Sequence, residues 1–456
     1  MANPSLLISL SLAVLALFSA CLAHHVSVQA PDECRLDQLN AIEPTNRVQS
    51  EAGLIEYWDP RDPQLQCAGV AMLRVTIRQN GLYLPTYSNG PIMAFVVQGQ
   101  GVTGAVTSGC PETYQESQEF GQEQQDLRLK DMHQKVRQMR KGDVLVFTAG
   151  TAHWYHNDGN SPLVFVALVD VSNYGNQLDR ILRTFHLAGS NPQLPERSLF
   201  AGFETEILAQ SFNIRMETAE KLKNLDDSRG NIVNIPQKLQ FVRPPTRGTT
   251  TEQREQYPGP WGEYDEEEYN GLEETVCTQR LQENLDDPSR ADIYDPEAGR
   301  ISTLNSLNLP ILRRLRLGAA RVFLHRNAMV LPHWNMNAHS LMYVTGGRLW
   351  VEVVKSNGEA AFKGEVRQGQ LLLVPQGFAV IKRSESEGCE YIAFRTNDNA
   401  VVNMLTGRLS AMAGLPVGLV ANGFRVSLEE AREIKYNRQE TMLAAANPSA
   451  QGTAEA

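Results

Sequence analysis

Two stretches far apart in this chain carry the same text. Leu84-Pro85-Thr86-Tyr87-Ser88-Asn89 is echoed by Leu331-Pro332-His333-Trp334-Asn335-Met336. Lys141-Gly142-Asp143-Val144-Leu145-Val146 is echoed by Arg367-Gln368-Gly369-Gln370-Leu371-Leu372, and Gly150 follows Gly142 at the distance at which Gly377 follows Gly369. An internal duplication is the economical explanation, and it constrains the fold strongly, because the unit built by the first half must be built again by the second. The unit is rich in strands. Residues 73–77, 93–97 and 144–147 in the first half are apolar, β-branched or aromatic runs bounded by Gly, Pro and Asn. Residues 322–324, 341–344, 349–354 and 371–374 do the same in the second. Short, closely spaced strands with turn signals predict a β-sandwich or barrel in each half.

Each half ends in helical text. Residues 204–225 place Ile207, Leu208, Phe212, Ile214, Met216, Ala219 and Leu222 as an apolar stripe over polar ground, and residues 399–409 and 427–436 read the same way. Ser427-Leu428-Glu429-Glu430 has the form of a capping box. Such helices need something to pack against, either the parent barrel or a neighbouring subunit. Residues 111–134, rich in Gln and Glu, and the stretch from Arg243 through Asp265-Glu266-Glu267-Glu268 bury too little apolar surface to be ordered. The chain from Ala444 onward also reads as loose. The resulting division is 1–23 as a leader, 24–242 as the first barrel with helices, 243–270 as a disordered acidic linker, 271–445 as the second barrel with helices, and 446–456 as a tail. With 456 residues, 42% of them hydrophobic and a net charge of −10, the chain has enough apolar matter for two cores and lacks the basic face of a general nucleic-acid binder.

Residues 6–18, LLISLSLAVLALF, form an apolar run too short to span a bilayer, followed by Cys21-Leu22-Ala23. This is the pattern of a signal peptide cleaved after Ala23, so the expected route is secretory, with no membrane anchor. Of six cysteines, Cys21 leaves with the leader. An odd number remains, so at least one thiol is free or bridges chains. Cys389 lies in alternating strand text and reads as a buried free thiol. Cys34, Cys67, Cys110 and Cys277 admit three pairings, and spacing does not choose among them.

The run from Gly142 to Asn157 resembles the second motif of the cupin superfamily, G-x5-P-x-G-x2-H-x3-N, with Thr148 in place of the Pro and His153 and Asn157 in register. In the second half Gly369, Pro375 and Gly377 fit, but Val380 stands at the His position and Ser384 at the Asn. The resemblance implies a mainly β fold of two jelly-roll barrels. Metal-dependent cupins gather two His and a Glu from a first motif and a His from this one. Those first-motif positions fall on Pro85, Tyr87 and Ile92 in the first half and on His333, Asn335 and Ser340 in the second. A transition metal needs three or four converging donors. One imidazole per half, His153 or His333, does not provide them, and neither His156 nor His339 falls at a ligand position. Both barrels therefore read as free of metal and cofactor. Gly99-Gln100-Gly101-Val102-Thr103-Gly104 matches G-x-G-x-x-G, but extended text rather than a helix follows it, so these glycines read as barrel turns. No catalytic serine elbow or P-loop is present, and Asp286-Asp287 carries no readable geometry.

Asn270-Gly271 closes the acidic linker and precedes Leu272-Glu273-Glu274-Thr275-Val276-Cys277. An exposed linker with a glycine beside an asparagine is open to a protease. This octet is similar to the processing site of legumin-type (11S) seed storage globulins, a branch of the two-barrel cupins. Cys34-Arg35-Leu36-Asp37-Gln38-Leu39-Asn40-Ala41, Tyr343-Val344-Thr345-Gly346-Gly347-Arg348 and Phe394-Arg395-Thr396-Asn397-Asp398 resemble the same family. The resemblance implies cleavage between Asn270 and Gly271 by an asparaginyl endopeptidase, giving an acidic and a basic chain. It implies a Cys34–Cys67 bridge within the acidic chain and a Cys110–Cys277 bridge between the two, with Cys389 left free. It further implies trimeric precursors in the endoplasmic reticulum, hexamers in protein storage vacuoles, docking through the helices behind each barrel, and food allergenicity.

The expected function is a non-enzymatic reserve of nitrogen and carbon. Amide-rich loops and Leu312-Arg313-Arg314-Leu315-Arg316, which reads as an alternating strand with a solvated face, add side-chain nitrogen. Two alternatives are a metal-dependent cupin enzyme and a small-ligand-binding cupin with a pocket lined by Tyr87, His153 and Trp154.

Overall fold

The computed structural model describes residues 34, 36–110, 114–115, 132–191, 196–223, 225–236, 239, 277 and 279–445. The leader at 1–23, the linker at 243–270 with Asn270 and Gly271, and the tail at 446–456 lie outside the described residues. Residues 1–36 and 37–456 form separate compact units. Of the first, only Cys34 and Leu36 are described, neither of them in a helix or strand. The second unit holds both barrels.

The first barrel is two packed antiparallel sheets. The seven-stranded sheet runs in the order Asn46–Ser50, Gly53–Tyr57, Val70–Ile77, Leu163–Asp170, Ile92–Gln98, Asp143–Phe147, Gln282–Asn284. The six-stranded sheet runs Thr184–His186, Gly81–Ser88, Ala152–His156, Gln100–Val106, Val136–Arg140, with Ile232–Asn234 also on Gly81–Ser88. One face of each sheet is apolar, and these faces meet around Val75, Ala94, Leu145, Tyr155 and Phe165, all buried. The chain passes from one sheet to the other at Gly99, whose φ is 84°. A Cβ there would stand 2.5 Å from the Pro162 carbonyl oxygen, so only glycine fits the corner. No helix follows Gly104, and the glycine-rich run is a barrel corner and strand.

The second barrel repeats this plan as one continuous ten-stranded sheet. Its long strands Ser340–Val354 and Ala379–Arg395 pair with each other and bend through both layers. The register breaks at Val344/Gly346 and Gly347/Leu349. These bulges replace the Gly99 corner by bending the strand without ending it. The echoed segments occupy equivalent places, as Thr184–His186 pairs with the end of Gly81–Ser88 and Val402–Met404 pairs with the end of Ala328–Asn335. The seven apolar runs from residues 73–77 to 371–374 that predict the barrels all lie within strands. The motif glycines Gly142, Gly150, Gly369 and Gly377 all have positive φ, 77–89°, which explains why the pattern calls for glycine there. Asn157 is buried and closes its turn by bonding Ile77 and Ser161 carbonyls.

Several expectations are corrected. Residues 399–409 are not helical: they contain the strand Val402–Met404, and the helices come later, at Ala411–Gly414 and Val417–Phe424. The edge offered by His333–Asn335 captures this segment as a strand, a long-range pairing that overrides local periodicity. Leu312–Leu315 is a short helix ended by Arg316 at φ 56°, not a strand. The stretch 204–225 breaks into Thr205–Phe212 and Met216–Lys223 at the left-handed Asn213. Within 111–134, Tyr114–Gln115 pairs with Met132–His133, so that region is not wholly without order. Ala444 is buried in the strand Leu443–Ala445 on Ala328–Asn335, not loose. The capping box at Ser427 forms as expected.

Each barrel takes an edge from the other half of the sequence. Gln282–Asn284, beyond the linker, is the outer strand of the first barrel, paired to Asp143–Phe147. Ile42, before the first barrel, bridges Leu371 in the second, and Leu39 donates its N–H to the Ala361 carbonyl. Arg321 anchors this junction. It is 0% exposed and donates to Asp286 at 2.8 Å, Glu390 at 2.7 Å and the Thr345 hydroxyl at 2.7 Å. Its guanidinium lies 5.1 Å from the ring centroid of Phe95 of the first barrel. The Asp286 that is featureless in sequence is thus part of an ion-pair network around a buried guanidinium. Among the described residues no helix is long and apolar enough to cross a membrane.

Candidate functional site

In cupin barrels the interior is where a ligand or metal would sit, and the two interiors of this chain differ. The first is filled by aromatic rings. Phe147 stacks on His153 at 4.6 Å, and Tyr155 meets Phe147, His153, Phe165 and Tyr83 with centroids 4.7–6.1 Å apart. The space left is about 30 Å³, the share of a single water. His153 gives its Nδ1 proton to the Thr151 carbonyl at 3.0 Å. Burial holds its pKa down to about 4, so it is a neutral core imidazole. Tyr87 and His153 border the remnant cavity, and Tyr87 stacks on Phe185 at 4.9 Å. Trp154 does not border it and instead covers Gly104, where a Cβ would stand 2.4 Å from the indole nitrogen. The expected ligand pocket of Tyr87, His153 and Trp154 is therefore not assembled.

The second interior is open and charged. Its cavity of about 200 Å³ is lined by His333, Asn335, Ser340, Lys382, Tyr391 and Arg395 against aliphatic side chains that include Ile301, Val322, Val330, Val402 and Met442. His333, Asn335 and Ser340, the positions aligned with a first cupin motif, do converge here. Val380, at the remaining motif position, pairs with His333 in the ladder. His333 donates Nδ1–H to the Leu331 carbonyl at 2.8 Å, which leaves Nε2 as its lone pair. Burial, with Lys382 and Arg395 adding repulsion, lowers its pKa to about 3. His156 and His339 are used elsewhere. His156 Nδ1 meets the Gly81 carbonyl at 3.1 Å, and His339 Nδ1 accepts the Gln376 N–H at 3.2 Å.

These residues do not fit a metal. One imidazole, flanked by an ammonium and a guanidinium, offers a cation neither enough donors nor a favourable field. Among the described residues no group of three His, Cys, Asp or Glu could hold a metal ion. The sequence assigns no role to either cation: Lys382 lies in no motif, and Arg395 stands there only as part of the family-like run Phe394-Arg395-Thr396-Asn397-Asp398. The available signal was alternation: along Val380-Ile381-Lys382-Arg383-Ser384, Lys382 shares the inward face with buried Val380 and Ser384.

The cysteines form the other site. Cys110 and Cys277 are bonded, with Cα atoms 5.4 Å apart across 167 positions of sequence. Gln134 steadies the approach, donating to the Thr107 and Cys110 carbonyls and accepting the Thr107 N–H, each at 2.9 Å. Cys34 and Cys67 are also in disulfides. Cys389 is a free, buried thiol in a strand, and burial pushes its pKa up to about 12, so it is unreactive.

Two antiparallel barrels in tandem, with motif glycines in place, define a bicupin, and the Cupin family model matches residues 39–220 and 283–432. The chain is 49% identical to the 11S globulin seed storage protein Ana o 2.0101 of Anacardium occidentale, covering 96% of this chain and 98% of that one. The crystal structure of procruciferin, the 11S globulin of Brassica napus, superposes with a TM-score of 0.82 at 45% identity, over 92% of this chain and 100% of that one. The structure of the coconut allergen cocosin gives 0.80 at 45% identity, over 91% of this chain and 100% of that one. Within the cupins, the chain belongs to the 11S seed storage globulins.

Proposed function

We propose that the protein is a non-enzymatic reserve of nitrogen and carbon, laid down in seed protein storage vacuoles by way of the endoplasmic reticulum. It is cut between Asn270 and Gly271 by an asparaginyl endopeptidase into an acidic and a basic chain. Cys34 pairs with Cys67, so that Cys110–Cys277 is the covalent link between the two chains. Uncut copies assemble as trimers and cut copies as hexamers. By analogy with its relatives, the protein is a food allergen.

The observation that carries this reading is the way the halves cross the linker. The disulfide and the Gln282–Asn284 strand on the first barrel tie both sides together, so a cut between them divides the chain without dividing the molecule. A protein whose purpose is to persist and then be digested benefits from that arrangement, because nicking need not unfold it. Support for assembly comes from the helices behind each barrel. Ile207, Phe212 and Met216 on one pair, and Leu419, Phe424, Leu428 and Ile434 on the other, are 43–60% exposed. Apolar faces of this kind mark contact surfaces.

The test is Asn270→Gln, expressed in the native secretory route. The expected result is an uncut chain that elutes from size exclusion as a trimer, while the wild type is cut and elutes as a hexamer. Equal processing and equal elution of the two would refute cleavage at this bond and its role in assembly.

A further inference from the structure

We propose that the interior of the second barrel is a binding site for a small organic monocarboxylate, whose head group lies between Lys382 and Arg395 and whose hydrocarbon lies on the aliphatic wall. Lys382 is 5% exposed. Its ammonium faces the Tyr391 ring at 5.3 Å. Arg395 has a buried Nε with no hydrogen-bond partner. Both side chains line the cavity, and no carboxylate does. Elsewhere the fold gives partners to its buried and half-buried cations. Arg321 has Asp286 and Glu390, Arg74 has Glu56 at 2.6 Å, and Lys435 bonds the Ala413 carbonyl at 2.8 Å. Two cations on one cavity without a counter-charge are costly to bury, and an anion entering the cavity removes that cost.

Size and lining select the ligand. At about 30 Å³ per water the space holds six or seven waters, or an acid of up to roughly ten non-hydrogen atoms. A planar carboxylate matches the edge of a guanidinium. Ile301, Val322, Val330, Val402 and Met442 suit a hydrocarbon and would leave the further oxygens of a phosphate without partners. The first barrel supplies the contrast, since its rings leave about 30 Å³ and no cation lines it.

The charges also set a pH dependence. Burial, with Arg395 beside it, lowers the pKa of Lys382 to about 7. The other groups on the cavity are His333, neutral above about pH 3, and Tyr391, whose pKa burial raises. The anion favours the charged amine, so binding above about pH 7 takes up a proton and weakens as pH rises.

The experiment titrates the intact protein with benzoate by calorimetry, against benzyl alcohol and inorganic phosphate, at about pH 6 and about pH 8. It also soaks crystals with 4-iodobenzoate. The expected result is saturable benzoate binding, one per chain, weaker at the higher pH, with no saturable binding of the alcohol or phosphate. Iodine should appear in the second barrel and not in the first. Lys382→Met should bind benzoate at least roughly tenfold more weakly while its unliganded melting temperature stays level or rises, because an unpaired buried charge is gone. Absence of saturable heat, equal affinity for benzyl alcohol or phosphate, unchanged affinity in Lys382→Met, or iodine only outside the second barrel would each overturn the proposal. The crystal soak decides the matter on the wild type if Lys382→Met does not fold.

Discussion

Replacing Arg321 by Met removes the group on which the junction between barrels converges. Three hydrogen bonds of 2.7–2.8 Å are lost, together with the guanidinium stacking 4.2 Å from the Phe323 centroid. Breaking a fully buried pair costs about 3–5 kcal/mol, because a charge is left stranded. The stranded charges here are partly wet, however. The Asp286 side chain is 19% exposed and that of Glu390 is 41%, so water recovers part of the loss and the discounted expectation is about 2–3 kcal/mol. If the cost lies in stranded carboxylates, neutralising them should remove it. Arg321→Met combined with Asp286→Asn and Glu390→Gln then returns to within about 1 kcal/mol of wild type. Urea unfolding followed by tryptophan fluorescence, at neutral pH and fixed ionic strength, measures both. A single substitution within about 0.5 kcal/mol of wild type, or a triple variant less stable than the single, would refute the stranded-charge explanation.

The barrels support two further expectations. His153 is neutral when folded, with its pKa held at about 4 against an ordinary value of 6.5. The unfolded chain therefore binds the extra proton first, and the stability this residue contributes is full above about pH 6.5 and falls as pH drops toward 4. His153→Gln should flatten that fall by an amount on the order of 3 kcal/mol in unfolding free energy measured across the window; an unchanged slope would show that the imidazole does not titrate there. Gly99→Ala forces a side chain into the left-handed corner against the Pro162 carbonyl and should cost roughly 1–3 kcal/mol, lowering the melting temperature by calorimetry, and a neutral effect would mean the corner relaxes.

Local and repeated features were legible in the sequence. The strand runs, the duplication, the capping box at Ser427 and the buried Cys389 are each specified by neighbouring residues, and the structure places them as read. What was not legible depends on distant partners. Val402–Met404 is a strand because of the edge at His333–Asn335. Asp286 has meaning only through Arg321, 35 positions away. The exchanged edge segments could not be seen without the assembled barrels. Short apolar periods such as 399–409 fit either helix or strand, and the left-handed turns at Asn213 and Arg316 depend on backbone conformations that non-glycine residues rarely advertise. The motif alignment did bring His333, Asn335 and Ser340 to one cavity. Of the two cations that make that cavity attractive to an anion, Lys382 is marked only by strand alternation, and the motif around Arg395 does not say that it faces the cavity.

A molecule divided by a protease and still held together by one bridge has a direct electrophoretic signature. Denaturing electrophoresis of the mature protein from its native tissue, with and without reductant and with terminal sequencing of the bands, reads it out. One band without reductant should give two with it, the smaller beginning at Gly271. A single undivided band under both conditions would contradict the cut, and two bands before reduction would contradict the bridge.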